Sequence, residues 1–308
     1  MAINTNAIST YTTTALNDRD VANYITNVSP TDSPFFSMIG ESSAFARLKE
    51  EPVDTLSAAN GNNALVEGDV LTSNTAPTAK STESNSLQIF KKTIEVTGTQ
   101  EIVNKYGGIK SELQYQVKKR YTELATDVEA AFITGTAATG GASTARTLTG
   151  LTAKVTTNTA TAFASASIYT STAAADIAAF EVLLNDMFQL GFTTGQQFDT
   201  VLVGAKLKRR ISALTTNVTR YVGAQQYVQS AVINIYESDF GTMNIILDRY
   251  VPSVWILAVK KDMCSTAYLR KWDRIPLAKT NDSTQVSIVG ELTLSVRTEK
   301  AIGSVNFV

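Results

Sequence analysis

Residue types that can do chemistry are scarce in this sequence. It has 27 basic and 28 acidic residues but no histidine, which excludes imidazole-activated nucleophiles, histidine-ligated zinc and histidine-ligated haem. The single cysteine, Cys264, cannot close an internal disulfide or build an iron–sulfur or all-thiolate zinc site. Because Cys264 follows an apolar run, we interpret it as a small buried hydrophobe.

Paired carboxylates are the remaining candidates for acid–base or metal chemistry. Three pairs are close in sequence: Asp18 and Asp20, Glu50 and Glu51, and Glu237 and Asp239. Neighbouring acids usually form solvated surface, so no pair indicates an active site by itself. The phosphate-binding loops G-x-G-x-x-G and G-x-x-x-x-G-K-S/T are absent, as is the S-x-x-K motif of serine–lysine hydrolases. The sequence therefore predicts no catalytic residue, no metal site and no cofactor.

Two basic clusters are the other notable charged feature. They are Lys118-Lys119-Arg120 and the group Lys206, Lys208, Arg209 and Arg210. Each cluster can be a solvated helix face paired with nearby acids, a contact to the acids of a neighbouring subunit, or a weak contact to nucleic acid. Neither cluster contains interleaved aromatic residues, and the formal charge of −1 lacks a basic excess. Specific nucleic-acid recognition is therefore not predicted.

The first 50 residues are predicted to form an extended arm. Its start is polar, without a basic segment or an apolar stretch, so no secretory signal is expected. Asp18–Val28 allows a short helix, which the prolines of Ser29–Pro34 end. Phe35 and Phe36 follow on a segment too small for a core of its own, so they must be buried against the rest of the chain or against a neighbouring copy.

A long polar stretch follows the arm. Residues 51–86 are rich in Asn, Gly, Ala, Thr and Ser, with a charged island at Val66–Asp69. So long a stretch without clear periodicity indicates either a linker or a functional projecting loop. Residues 87–98 are typical of a strand that leaves its core partway and forms one leg of a hairpin.

The strongest helical pattern lies between two glycine signals. Gly107-Gly108 precedes it, and Gly135 ends it. Between Ile109 and Thr134, apolar residues recur at spacings of three and four, over about 26 residues or about 40 Å. The pattern predicts a long spine helix.

The rest of the chain mixes helices and strands. Residues 136–171 form a polar surface excursion, anchored only by Leu148–Leu151. The elements predicted after it are a helix at Ala173–Leu190 ended by Gly191, a strand at Phe198–Val203, a helix at Ala205–Leu214, strands at Val232–Tyr236 and Met243–Asp248 joined as a hairpin, a strand at Val254–Val259, and a long antiparallel strand at Gln285–Lys300. Few regular strand–helix–strand crossovers are present, so the predicted class is α+β.

A series of short segments, in order along most of the chain, points to one family. They are Ile25–Phe36, Leu87–Lys92, Val96–Thr99, Glu112–Gln116, Asp127–Glu129, Leu247–Pro252, Ala278–Ser283 and Gly290–Leu294. Together they resemble the major capsid (head) proteins of tailed bacteriophages with the Hong Kong 97-type fold.

The resemblance implies a division of the chain. The parts are an N-terminal arm (1–50), an extended β-hairpin loop and strand (51–98), a peripheral domain with the spine helix (99–147), an axial domain (148–270), and return strands of the peripheral domain (271–308). In that family the extended loop lies over the adjacent subunit. The arm is too short for a large cleavable assembly domain, so a separate scaffolding protein, or none, is expected.

The resemblance also implies a function without catalysis. The expected role is self-assembly, in the host cytoplasm, into hexamers and pentamers of an icosahedral head around double-stranded DNA. Portal, scaffolding and decoration proteins are candidate partners. The longest apolar stretch, Val254–Val259, is far too short to span a bilayer, so no membrane partner is expected.

Contacts between subunits would carry that assembly. The candidates are Glu67 and Asp69 on the loop, which could meet Lys118, Lys119 or Arg120 of a neighbour, and Phe35 and Phe36, which could anchor the arm. Three other functions stay open at this point: a nanocompartment shell of the encapsulin type with protein cargo, a surface adhesin or tail protein suggested by the Thr, Ser and Asn content, and a metal-dependent enzyme.

Overall fold

Helices and strands are mixed along the chain, as the α+β prediction requires. The computed structural model describes residue 27 and residues 29–64, 66–68, 77–105, 107–161, 173–214, 234–279 and 281–307. The α-helices are α1 (Pro34–Met38), α2 (Gly98–Ile102), α3 (Glu112–Thr134), α4 (Leu151–Lys154), α5 (Ala174–Thr193) and α6 (Ala205–Leu214). The strands are β1 (Gly40–Ser43), β2 (Leu48–Val53), β3 (Ser81–Ser86), β4 (Gln88–Thr97), β5 (Thr159–Thr161), β6 (Thr200–Val203), β7 (Ile235–Ser238), β8 (Gly241–Leu247), β9 (Trp255–Val259), β10 (Cys264–Pro276), β11 (Ser283–Val296) and β12 (Ile302–Asn306).

The longest strands form a four-stranded sheet in the order β1-β10-β11-β4. β11 runs antiparallel to both β10 and β4, while β1 is parallel to β10 at one edge. The long antiparallel strand predicted at Gln285–Lys300 is confirmed as β11. The strand predicted at 87–98 is confirmed as β4, which pairs with β11 along its whole length. The hairpin leg is the preceding strand β3, and the backbone N–H of Leu87 donates to the carbonyl oxygen of Arg47 beside it.

The helix α3 is the predicted spine, and it packs against this sheet. It begins at Glu112, where the Ser111 hydroxyl accepts the backbone N–H of Gln114 at 3.3 Å and caps the first turn. It ends at Gly135, where a Cβ would lie 2.4 Å from the carbonyl oxygen of Ala131. The apolar residues that recur at spacings of three and four form one face of α3, the apolar seam. This seam is fully buried only in its C-terminal half, at Leu124, Val128 and Phe132.

A second sheet has six strands in the order β5-β12-β9-β6-β8-β7. β6 and β8 run parallel, as do β12 and β5, and the other pairs are antiparallel. The helices predicted at 173–190 and 205–214 are confirmed as α5 and α6. Their apolar faces, which include Phe180, Met187 and Leu207, form a core with this sheet.

The predicted end of α5 at Gly191 is wrong. The helix continues to Thr193, and Gly195 follows with a φ of +78° in the left-handed region. Gly191 has a packing role instead, because a Cβ there would lie 2.5 Å from the ring of Phe198. A glycine that lets an aromatic ring approach the helix was therefore mistaken, in the sequence, for a glycine that ends the helix.

The predicted boundary at residue 270 does not follow the sheets. It divides β10, a strand that the sequence analysis missed, and β12 lies in the six-stranded sheet although it was expected among the peripheral strands. β10 has register shifts between Tyr268 and Asp273, and its last residues are exposed. Its sequence therefore shows no clean alternation.

Three smaller predictions concern the anchor at Leu148–Leu151, the burial of Cys264 and membrane-spanning helices. Leu148 and Leu151 are fully buried and anchor the excursion after α3, as predicted. Cys264 is buried, and burial raises the pKa of its thiol to about 12. Within the described residues, no helix is long and apolar enough to cross a membrane.

Candidate functional site

The arm is fastened to its own subunit at the C-terminal half of α3. Phe35 is fully buried, and the rings of Phe35 and Phe36 meet the ring of Phe132 edge-on at centroid distances of 6.4 and 6.0 Å. The expectation that Phe35 anchors the arm on a neighbour is therefore corrected, because its side chain has no surface left. Phe36 is half-buried and keeps some exposed surface. The predicted helix at Asp18–Val28 lies outside the described residues, apart from Asn27.

A buried carboxyl pair lies under this anchor. Glu129 of α3 accepts the backbone N–H groups of Phe35 and Phe36 at 2.7 and 2.6 Å. Asp248, after β8, accepts the N–H of Tyr250 at 2.9 Å. Burial raises the pKa of Glu129 to about 8, with a smaller contribution from the Asp248 charge, and burial also raises the pKa of Asp248. Two buried acids in one place favour holding a proton.

The two ends of the polar stretch at 51–86 belong to the stem of a hairpin. Its stem is the antiparallel pair β2 and β3, in register from Leu48 opposite Ser86 to Val53 opposite Ser81. Beyond the stem, Leu56 is 98% exposed and Val66 is 78% exposed. The paired stem agrees with the loop interpretation, whereas residue 65 and residues 69–76 lie outside the described residues, and the projecting loop stays a prediction.

The acidic and basic residues that were expected to pair between subunits differ in their exposure and in their partners within the subunit. Glu67 is exposed on the hairpin, whereas Asp69 lies outside the described residues. Lys118 and Lys119 are exposed on α3, but the Arg120 guanidinium bonds the Glu123 carboxylate on the same helix. Arg120 is thus already partnered within its own subunit.

A cleft of about 590 Å³ opens beside the two lysines. It lies between the arm and the solvent side of α3, and its lining includes Thr31, Tyr115, Lys118, Lys119 and Thr122. Glu123 also lines the cleft, which therefore combines two lysines and several hydroxyl groups with one acid.

The second basic cluster is divided by the fold. Arg210 is buried, with its guanidinium carbon 5.7 Å from the centroid of the Phe180 ring. Lys208 is half-buried near the carbonyl oxygen of Ile245, at 3.4 Å. Only Lys206 and Arg209 are exposed. The cluster as a whole therefore presents no continuous basic face.

The chain is similar to proteins whose family or structure is known. A family model described as SU10 major capsid protein matches residues 7–308. The chain belongs to the SU10 major capsid protein family. The family is that of a major capsid protein, the kind of subunit that forms a virion shell.

One curated relative and several solved structures are also similar to the chain. The major capsid protein of Escherichia phage Phieco32 is 36% identical over 119 residues, which is 38% of this chain and 33% of that protein. The match thus spans about a third of the curated relative. The capsid of the native GTA particle superposes with a TM-score of 0.64 at 13% identity, covering 95% of both chains.

Two solved phage structures share the fold of the chain to a similar extent. The solved structure from Mycobacterium phage Bobi superposes with a TM-score of 0.65 at 12% identity, covering 97% of this chain and 98% of that one. The capsid of cyanophage P-SCSP1u has a TM-score of 0.65 at 12% identity, covering 94% of this chain and 93% of that one. The predicted Hong Kong 97-type capsid fold is confirmed.

The two carboxylate pairs that lie within the described residues are not arranged as acid–base sites. Burial alone would raise the pKa of Glu51, but the hydroxyl of Ser295 and the ammonium of Lys49 bind its carboxylate and lower it. Glu50 is exposed on the alternate face of β2. Glu237 and Asp239 are exposed at the β7–β8 turn, and the pair at residues 18 and 20 lies outside the described residues. No cluster of three or more His, Cys, Asp or Glu that could hold a metal is present in the described ranges.

Sequence reasoning missed the buried pair of Glu129 and Asp248. The two residues are far apart in the chain and meet only through tertiary packing. Glu129 lies next to Val128 of the apolar seam, but a single acid at the border of a seam is ordinarily interpreted as solvated.

Proposed function

We propose that this capsid protein groups into hexamers and pentamers that close the head around double-stranded DNA. The observation that carries the proposal is the hairpin, which presents Leu56 and Val66 to solvent, with Phe45 exposed before its stem. Exposed apolar groups on an ordered projection cost free energy, and contact with a neighbouring copy offsets that cost. The formal charge of −1 supports close packing of many copies, because net repulsion between them is small.

We assign the two sheets to the two domains of such a subunit. The four-stranded sheet with α3 corresponds to the peripheral domain, and the six-stranded sheet with α5 and α6 corresponds to the axial domain. The core formed with α5 and α6 supports the assignment of the six-stranded sheet, whose other residues, among them Leu202, Leu257 and Ile302, share the core of the four-stranded sheet and α3.

The proposed role is structural and needs neither catalysis nor a cofactor. DNA is the proposed content, and no sequence-specific contact is proposed because neither basic cluster contains interleaved aromatic residues. Portal, scaffolding and decoration proteins are the other proposed partners. Nuclease treatment of purified particles tests the content: double-stranded DNA should survive inside them, and a protein cargo without DNA would contradict the proposal.

We propose Glu67 and Asp69 of the hairpin as contacts to Lys118 and Lys119 of a neighbour. The charges are complementary, and the cleft beside the lysines offers space for a loop. One exposed ion pair contributes only about 0.2–1 kcal/mol. The same contact repeated around every subunit adds up over the shell.

Charge reversal tests this contact. Glu67→Lys with Asp69→Lys should raise the concentration needed for shell assembly at least about tenfold, which corresponds to about 1.4 kcal/mol per contact. Light scattering and negative-stain imaging measure this, and the thermal midpoint of the dissociated subunit should stay unchanged.

The matched control is Glu237→Lys with Asp239→Lys, an exposed acid pair of the same spacing on another hairpin. This control should assemble normally. Adding Lys118→Glu and Lys119→Glu to the hairpin variant should restore assembly. Normal shells from the hairpin variant alone would remove Glu67 and Asp69 from the interface.

A further inference from the structure

The hairpin stem needs support from outside itself. β2 and β3 pair with each other and form a sheet of only two strands. An isolated two-stranded hairpin is marginally stable in water. The stem packs on β11, but the face that it turns inward is mostly polar: it contains Lys49, Glu51, Glu83 and Asn85, with Val53 as its one apolar residue. Its attachment to the body therefore depends on directional polar contacts.

Asn85 makes the most complete of these contacts. Its side chain is 4% exposed. Its amide nitrogen donates to the carbonyl oxygens of Thr149 and Leu294 at 2.9 and 2.8 Å. Its amide oxygen accepts the backbone N–H of Thr149 at 2.8 Å. One planar amide thus links the stem to β11 and to the turn before α4, using both donor hydrogens and the acceptor.

Further polar contacts lie beside Asn85. The ammonium of the buried Lys154 is 2.9 Å from the Glu83 carboxylate. The hydroxyl of Thr293 donates to the carbonyl oxygen of Ser86 at 2.9 Å. These contacts join the same stem to the same two parts of the body.

We propose that Asn85 is a positioning residue that sets the angle of the hairpin relative to the body of the subunit. Apolar surfaces tolerate sliding because the hydrophobic effect has no direction, whereas three hydrogen bonds to one planar amide are satisfied at only one orientation. The consequence for the shell rests on the proposed function, in which the hairpin contacts a neighbouring copy. A fixed hairpin angle then fixes the angle between adjacent subunits.

The test measures the hairpin angle in the dissociated subunit. Spin labels attached to Leu56→Cys on the hairpin and Ile102→Cys on α2 report the distance between hairpin and body. Both sites are exposed, and Cys264 is buried and stays unlabelled. The unmodified background should give one narrow distance distribution.

Asn85→Asp should broaden that distribution at least about twofold. The substitution keeps one acceptor but replaces both donors with a carboxylate oxygen facing two carbonyl oxygens. Asn62→Asp, the same chemical change at an exposed hairpin position, is the matched control and should leave the width unchanged. Glu83→Gln, which removes only the partly exposed ion pair, should give a smaller broadening and serves if Asn85→Asp fails to fold.

The outcomes separate the two proposals. An unchanged width in the folded Asn85→Asp subunit, or in Glu83→Gln if Asn85→Asp does not fold, would overturn the positioning role. A broadened distribution together with shells of mixed diameter or open form supports both proposals. A broadened distribution together with shells of normal diameter leaves the positioning role intact and contradicts the proposed hairpin contact.

Discussion

Replacing Phe132 with alanine is expected to lower the free energy of unfolding by about 3–5 kcal/mol and to free the arm. Phe132 is fully buried where α3, the four-stranded sheet and α1 meet. Its removal leaves a cavity and deprives the rings of Phe35 and Phe36 of their edge-on partner. Urea unfolding measures the loss in stability, and limited proteolysis after Phe35 or Phe36 measures release of the arm.

The control for this prediction is Phe192→Ala. Phe192 is 58% exposed at the end of α5, so its removal should cost less than about 1 kcal/mol. A similarly small loss at Phe132, with the arm still protected from protease, would show that the aromatic anchor does not hold the arm.

Raising the pH from about 5 to about 9 is expected to destabilise the subunit, and Glu129→Gln is expected to remove most of that dependence. The unfolded chain releases the Glu129 proton near the ordinary pKa of 4.5, whereas the folded chain holds it up to a pKa of about 8. Between these values the folded state binds more protons, so stability falls as pH rises, by up to about 1.4 kcal/mol per pH unit. The stabilisation by the Glu129 proton is fully present below pH 4.5 and is lost as the pH rises through about 8.

Asp248, whose pKa burial also raises, titrates together with Glu129 in this window, but the carboxylates with lowered pKa values do not contribute to it. Glu51, Glu95, Glu101 and Glu299 have pKa values below their ordinary range, so their effects appear only in more acidic solution. Thermal midpoints of the dissociated subunit at several pH values measure the slope. Glu181→Gln changes the same charge at an exposed position and should keep the wild-type slope. A Glu129→Gln slope equal to that of the wild type would rule out the buried pair as its source.

The spine helix and β11 were predictable because local patterns coincide with tertiary burial. In α3, apolar residues at spacings of three and four coincide with the buried positions Leu124, Val128 and Phe132. In β11, alternation persists because the strand is central in its sheet and Ile288, Leu292 and Leu294 all enter the core. Such elements bury one continuous face, and that face is visible in the sequence.

The hairpin stem and the buried acids were not predictable from local patterns. The inward face of β2 and β3 contains Glu51, Glu83 and Asn85, so no apolar alternation reveals a strand. The environments of Glu129 and Asp248 depend on packing between segments that are distant in sequence. Polar groups buried by non-local contacts resemble solvated groups in the sequence alone.

The most direct test of the account is a cryo-electron microscopy reconstruction of particles assembled from the purified chain. The account predicts closed hollow shells in which the hairpin of each copy lies on an adjacent copy, with Leu56 and Val66 covered and Phe35 packed inside its own subunit. A chain that stays monomeric at every concentration and salt level, or a shell in which the hairpin projects into solvent, would contradict it.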